Sequence, residues 1–76
     1  MGKYSIYVNT ELLRHERFIK KISMAKMAEM LGKKSESSYS NIENGIVEPK
    51  ISDINKIAEF FGKPANIFFN IKVQVN

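Results

Sequence analysis

Three glycines divide the chain into short helical segments. Gly32, Gly45 and Gly62 each follow apolar residues spaced three or four positions apart, the spacing of one helix face. Glycine commonly ends helices because it adopts left-handed backbone angles without strain. Pro49 prevents a helix from continuing through the stretch that follows Gly45. The chain is therefore predicted to fold into several short helices that pack together.

Residues with capping side chains predict where these helices begin. Asn9 or Thr10 can cap a first helix, in which Leu13, Arg17 and Ile19 are predicted to face inward. The later helices are predicted from Ser23 to about Leu31, over residues 37–44, from Ser52 or the residue before it to Phe61, and around Ile67 and Phe68 after Pro64.

Both ends of the chain carry β-forming residues in alternation. Short strands of this kind are not stable alone. Residues 3–8 and 71–75 are therefore predicted to pair with each other or across a dimer, the alternative being frayed ends. The apolar members of the two alternating patterns are Tyr4, Ile6 and Val8, and Ile71, Val73 and Val75.

The composition narrows the classes of protein to which the chain can belong. It has 76 residues, a formal net charge of +4 and no cysteine, which predicts one domain over residues 1–76 without disulfides or thiolate metal ligands. No apolar run is long enough for a signal peptide or a membrane span, so a cytoplasmic protein is expected. The one histidine, His15, has no partner at a spacing typical of a catalytic, metal or cofactor site. The basic balance favours a polyanion as partner.

Residues 23–45 carry the most informative pattern. Two short predicted helices flank a polar turn, with Ser23 as the first cap and Gly45 after the second helix. In such a unit the second helix projects from the surface and fits the major groove of B-DNA. The sequence therefore predicts a helix-turn-helix at residues 23–45.

Three runs of sequence are similar to one known family. SMAKMAEMLG at 23–32, SYSNIENG at 38–45 and DINKIAEFFGKPANIFF at 53–69 resemble the Cro/C1-type (XRE) helix-turn-helix family of phage repressors, over about residues 10–70. The resemblance implies an all-α, compact five-helix bundle of the phage repressor DNA-binding-domain type, to which the terminal segments would add short β-strands. It also implies a transcription regulator of a phage or bacterial genetic switch. Such a regulator binds a double-stranded DNA operator through its third helix, typically as a homodimer.

The resemblance implies roles for individual side chains. Arg17 and Glu43 match the family's internal ion pair between the first and third helices, which would fix how these helices pack. Tyr39 stands where the family usually has isoleucine or valine, and is interpreted as a core residue whose hydroxyl reaches the surface. Base contacts are expected from Glu36, Ser37, Ser40 and Asn41, and phosphate contacts from Ser23, Lys33, Lys34 and Asn44.

Other positions depart from the family pattern and favour a different partner. Residues 23–45 hold three lysines and three glutamates and so carry no net charge. Met24, Ile46 and Val47 place apolar groups where a DNA-binding face usually has hydrogen-bond donors and positive charge. An apolar patch beside a recognition helix suits a protein partner better than a nucleic acid. The alternative function is therefore an antirepressor or modulator that docks on a partner repressor and blocks its DNA binding.

Overall fold

The structure, a computed structural model, describes the backbone of residues 3–74 and the side chains of residues 5–72. Helices dominate this part of the chain, but it is not all-α, because its two ends form one antiparallel sheet. None of its helices is long and apolar enough to cross a membrane. The elements are, in chain order, β1 (Lys3–Val8), α1 (Thr10–Ile19), α2 (Met24–Met30), α3 (Glu36–Glu43), α4 (Ile51–Phe61), α5 (Ala65–Phe68) and β2 (Phe69–Gln74).

Side-chain oxygens cap α1 and α2 where the sequence predicts them. The Asn9 side chain accepts a hydrogen bond from the backbone N–H of Leu12 at 3.2 Å, and Ser23 accepts one from Lys26 at 3.0 Å. Each cap satisfies an amide that the helix itself leaves unbonded. In both helices the capping oxygen and the amide that it binds are three residues apart, so the local sequence sets where each helix begins.

The third helix begins one residue earlier than predicted. Ser35 is its cap and accepts a hydrogen bond, at 3.3 Å, from the amide three residues later, so Glu36 lies in the first turn of the helix. An acidic residue is favourable there because the helix dipole is positive at its start. The fourth helix begins at Ile51, one of the two predicted starts, where the carboxylate of Asp53 accepts from the N–H of Lys50 at 3.1 Å.

Each helix contributes one fully buried apolar or aromatic side chain to a shared core. These side chains are Leu13 from α1, Met27 from α2, Tyr39 from α3, Ile57 from α4 and Phe68 from α5. Helices this short are unstable alone, so the stability of each depends on this common packing. The prediction that Ile19 faces the core is wrong, because its side chain is 57% exposed. Ile19 lies six residues after Leu13, about 240° around the helix axis.

An ion pair ties α1 to the segment that follows α4. Gly62 has a left-handed φ of +64° and ends α4, and the ammonium of Lys63 then lies 2.8 Å from a carboxylate oxygen of Glu16. The hydrogen bond from Lys63 lowers the pKa of Glu16 below its ordinary value of 4.5. The stabilisation from this pair is therefore present at neutral pH and is lost as the pH falls below that value.

The two terminal strands pair with each other. The register places Ile6 opposite Ile71 and Val8 opposite Phe69, on the sheet face that turns toward the helices. Ile6 and Phe69 are buried there and extend the helical core. Pairing within one chain is one of the arrangements that the sequence left open. Val75, the last residue of the predicted alternation, lies outside the described residues.

The core predicts a contrast between a buried and an exposed isoleucine. Ile57→Ala removes fully buried methyl groups and leaves a cavity, so it should lower the free energy of unfolding by about 2–5 kcal/mol. Ile19→Ala is the matched control and should change it by about 0.5 kcal/mol or less. Urea denaturation followed by circular dichroism measures both, and equal losses would contradict the assigned core.

Candidate nucleic-acid interface

The turn between α2 and α3 sets the two helices of the motif against each other. α2 ends at Met30 with Leu31 as its C-cap, and Gly32 follows with a left-handed φ of +71°. The N–H of Lys33 then donates to the carbonyl of Ala28 at 2.8 Å and closes the end of the helix. Because the turn is short, α3 packs directly against α2, and both helices contribute to the same core.

α3 has one buried face and one face open to solvent. The buried face consists of Tyr39, Ile42 and Glu43. The four predicted base-reading residues are not part of this buried face: Glu36 and Ser37 are exposed, and Ser40 and Asn41 are half-buried. Their spacing of one and four residues places them side by side on a helix. The structure thus brings the four predicted residues onto one surface, which we call the α3 face.

Hydroxyl groups cluster where the α3 face begins. The hydroxyl oxygen of Ser35 lies 3.1 Å from that of Ser37 and 3.0 Å from that of Ser38. A hydroxyl can rotate to donate or to accept a hydrogen bond. The hydroxyl groups at the start of α3 can therefore either donate hydrogen bonds to a binding partner or accept them from it.

A buried carboxylate attaches α3 to α1. Glu43 is fully buried, and two guanidinium N–H groups of Arg17 donate to its two oxygens at 2.7 and 3.1 Å. These hydrogen bonds raise the pKa of Arg17 above its ordinary value. A third N–H of Arg17 donates to the carbonyl of Ile22 at 3.0 Å, in the turn before α2. The structure thus joins the two residues that the resemblance pairs, and links both to α2.

The hydroxyl of Tyr39 belongs to the same cluster. It donates to a carboxylate oxygen of Glu43 at 3.0 Å, and the residue is fully buried. The prediction that this hydroxyl reaches the surface is therefore wrong, because Glu43 supplies a buried acceptor one helical turn away. Burial raises the pKa of Tyr39 well above its ordinary value, and the negative charge of Glu43 raises it further.

Arg14 is a contributor to this surface that sequence reasoning missed. Its guanidinium donates to the side-chain oxygen of Asn44 at 2.7 Å, and the Asn44 amide donates to the hydroxyl of Ser40 at 3.2 Å. Its side chain is 52% exposed, so a positive charge stands beside the α3 face. The sequence did carry a signal for Arg14, because it lies three residues before Arg17 and residues three apart share one side of a helix.

The predicted phosphate-binding residues differ in how accessible their polar groups are. The ammonium of Lys33 lies 3.1 Å from a carboxylate oxygen of Asp53, the same oxygen that accepts from the N–H of Lys50. Its charge is thus largely neutralised within the protein. Ser23 and Lys34 are exposed.

Acidic side chains hold other cations in the same region. Glu29 lies 3.7 Å from Lys26 on the exposed side of α2, and Glu43 binds Arg17. In the part of the chain that the structure describes, no three histidine, aspartate or glutamate side chains gather so as to hold a metal ion. Glu29 and Glu43 therefore act as partners of nearby cations, whereas Glu36 is exposed.

The loop after α3 is apolar and exposed. Ile46 is 72% exposed and Val47 is exposed as well. Their amides donate to the carbonyl of Asn41, at 2.8 and 3.0 Å, which holds the loop against α3. Met24, the third predicted docking residue, is half-buried and packs against the core. The structure therefore brings Ile46 and Val47 together beside the α3 face but leaves Met24 only partly accessible.

Comparison with known proteins identifies the same region. A family model described as helix-turn-helix matches residues 17–68. The match spans 52 of the 76 residues and takes in the end of α1 and all of α2 to α5, and it leaves both strands outside. No curated protein matches the chain.

The raised pKa of Tyr39 predicts a loss of stability at alkaline pH. The folded state keeps the tyrosine proton after the unfolded chain, with a tyrosine pKa of about 10, has lost it. The contribution of the protonated Tyr39 hydroxyl to the free energy of unfolding is therefore complete below about pH 10, and it decreases by about 1.4 kcal/mol per pH unit above that pH. Tyr39→Phe should cost about 2 kcal/mol at neutral pH, because it removes a hydrogen bond to a buried charge, and its deficit should shrink above about pH 10.

Urea denaturation at several pH values measures this difference. Tyr7→Phe is the matched control, since Tyr7 is exposed on the sheet, and it should keep the pH dependence of the unsubstituted protein. A deficit of Tyr39→Phe that stays constant through the alkaline range would contradict the assignment.

Proposed function

Because the chain belongs to the Cro/C1-type helix-turn-helix family, whose members are DNA-binding regulators, we propose that it regulates transcription by binding operator DNA with α3 in the major groove. The observation that carries the proposal is the α3 face, where four polar side chains share one surface while the buried residues of the helix are locked into the core. The setting is a phage or bacterial genetic switch, with the protein acting on DNA in the cytoplasm.

The α3 face supplies hydrogen-bonding groups suited to base edges. The amide of Asn41 can donate to and accept from adenine at the same time, and the carboxylate of Glu36 can accept from the amino group of cytosine. The hydroxyls of Ser37 and Ser40 tolerate more than one base. Asn41 therefore contributes the sharpest discrimination, and the serines contribute less.

Phosphate contacts position the helix in the groove. Lys34 and Ser23 are exposed and can reach the DNA backbone, whereas Lys33 has to share its charge with Asp53. Arg14 adds a cation beside Asn44, for which the family resemblance implies a phosphate contact. Such contacts orient a protein on DNA and carry little sequence information.

A regulator of this kind reads a two-fold symmetric operator as a homodimer. Two recognition helices then enter successive major grooves, about 34 Å apart. Residues 1–76 act as one domain in each subunit. The symmetry of the DNA site thus mirrors the symmetry of the protein.

Selection from a pool of random duplex DNA tests the proposal, because the protein itself then picks out its operator. The protein should enrich a symmetric sequence, and the logarithm of its binding constant should fall linearly with the logarithm of salt concentration. Failure to enrich any sequence above non-specific binding would overturn the proposal.

Asn41→Ala should weaken binding to the selected site and relax the choice of base at one position. A bidentate contact to adenine contributes about 1–3 kcal/mol, so the loss should be roughly tenfold to a hundredfold. Fluorescence anisotropy with labelled duplexes measures it. Asn70→Ala is the matched control, because Asn70 is exposed on β2, outside the α3 face. An equal loss in both variants would count against base reading by Asn41.

A second candidate function follows from the loop beside the α3 face. Ile46 and Val47 are exposed where a DNA-binding surface favours cations, with the exposed Glu48 beside them in the chain and the exposed Glu36 at the start of α3. An apolar centre with acidic neighbours suits the basic DNA-binding face of another repressor. In this alternative the protein is an antirepressor that covers its partner's DNA-binding surface.

Ile46→Lys separates the two functions. If the protein binds DNA, the added cation should tighten binding a few-fold and steepen the log–log salt slope by about 0.9, the value for one added phosphate contact. Ile19→Lys, the same change on α1, is the control and should have a smaller effect. If Ile46→Lys leaves DNA binding unchanged but no longer co-purifies with a repressor encoded beside its gene, the result would support the second function instead.

A further inference from the structure

A groove runs between β1 and the loop that follows α3. Residues 5–8 line it on the side of the strand, and residues 45–48 line it on the side of the loop. None of the described residues of β2 lines it, so it lies on the side of β1 that faces away from its partner strand. We call it the β1 groove. It follows an edge of the sheet to which a further strand could be added.

The register of the sheet shows which backbone groups of β1 point toward this groove. The N–H of Asn9 donates to the carbonyl of Phe68 at 2.7 Å, one step beyond the last paired residues, Val8 and Phe69. Opposite residues in an antiparallel pair alternate between those that exchange hydrogen bonds and those that do not. Val8 therefore makes no backbone hydrogen bond to β2, and neither does Ile6, two residues earlier. The N–H and C=O groups of both residues point away from β2.

The outward backbone groups of Ile6 and Val8 determine what kind of molecule fits the edge. Among the described residues, no backbone group outside the sheet forms a hydrogen bond with them. Donors and acceptors that repeat at every second residue match the backbone of another extended polypeptide. The phosphates of a nucleic acid are acceptors only and cannot match such a row. The edge is therefore suited to a peptide strand.

The loop opposite β1 limits how large the bound molecule can be at this edge. Ile46 and Val47 are exposed on the loop, whereas Ile6 is buried and Val8 is half-buried on the strand. The loop therefore projects farther than the strand beside it. A second folded copy that approached with its own β1 would carry the same projecting loop, and the two loops would keep the edges apart. A single extended segment needs only the spacing of neighbouring strands, about 4.8 Å.

We propose that the β1 groove binds an extended segment of a partner protein, which joins the sheet as a third strand. Alternate side chains of that segment point toward the helices, where Ile46 and Val47 favour apolar residues. Among the described residues that line the groove, Glu48 is the one that carries a charge, and it is exposed. It favours a lysine or arginine in the segment. The partner segment thus alternates apolar and polar residues and carries positive charge.

The inference goes beyond the proposed function and does not depend on it. Ile46 and Val47 lie beside the α3 face as well as along the β1 groove, so a bound segment would lie close to the surface that meets DNA or a repressor. A partner protein could therefore reach the regulator without occupying α3. The test needs neither DNA nor a repressor.

Selection from a library of random linear peptides supplies a probe, and amide hydrogen exchange measured by NMR locates it. The selected peptides should alternate apolar and polar residues and include a basic residue. A saturating peptide should slow the exchange of the Ile6 and Val8 amides by roughly tenfold or more, because each amide gains a hydrogen bond. The Tyr7 amide is the internal control, since the same alternation bonds it to Asn70, and it should exchange slowly with or without the peptide.

Val8→Pro tests the backbone contact directly. It removes one outward N–H and should keep the pairing with β2, because a strand tolerates proline where the N–H faces away from its neighbour. The Kd of the selected peptide should rise by roughly tenfold, since one of its carbonyls loses a donor. Val8→Ala is the matched control, because it shortens the same side chain but keeps the N–H, and it should change the Kd by less than about threefold. Fluorescence anisotropy with labelled peptide measures both values.

Three results would overturn the proposal: a library that yields no binding peptide, a bound peptide that leaves the exchange of Ile6 and Val8 unchanged, or an equal Kd for Val8→Pro and Val8→Ala. Slower exchange of the two amides at high protein concentration without peptide would mean that a second copy occupies the edge, and would overturn it as well. Circular dichroism checks the fold of both variants. If Val8→Pro does not fold, hydrogen exchange in the unsubstituted protein decides the result.

Discussion

The carboxylate of Glu43 is the group on which the placement of α3 depends. Arg17 binds both of its oxygens and also donates to the carbonyl of Ile22, so one guanidinium joins α1, α3 and the turn before α2. Tyr39 adds a hydrogen bond from within α3. A buried charge that loses its partner is strongly destabilising. The three elements therefore keep one arrangement. The buried carboxylate thus fixes the direction in which the outer side chains of α3 point, although it does not itself lie on that surface.

Features set by neighbouring residues can be predicted from the sequence, and features set by distant ones only in part. The cap at Asn9 is predictable because its oxygen binds an amide three residues away. The pair of Arg17 and Glu43 spans 26 residues and is expected only from the family resemblance. The hydroxyl of Tyr39 is predicted at the surface although its acceptor Glu43 is only four residues away, because the spacing does not show that Glu43 is buried. The partner of Lys33, Asp53, is 20 residues away, and no sequence pattern identifies it. The partner of each terminal strand stays open for the same reason, since a β-forming pattern does not identify the strand that it pairs with.

Ion pairs within the protein leave little free positive charge around the motif. Asp53 binds Lys33, Glu43 binds Arg17 and also lies 3.8 Å from the half-exposed Arg14, and Lys34 is exposed. Non-specific attraction to DNA comes mainly from such exposed cations. Under the proposed function, recognition therefore depends more on base contacts and on the fit of α3 than on general attraction to phosphates. A surface of this kind favours selectivity over strong binding to any duplex.

The register of the sheet also bears on the order in which the molecule assembles. Its paired residues run from Lys3 with Gln74 to Val8 with Phe69, so forming it closes almost the whole described chain into one loop. Closing a long loop costs entropy that local helix formation does not. The helices are therefore expected to gather first and the strands to join last. Since Ile6 of β1 and Phe69 of β2 belong to the core, that core is complete only after the strands have joined, and incompletely folded chains would expose part of it to other molecules.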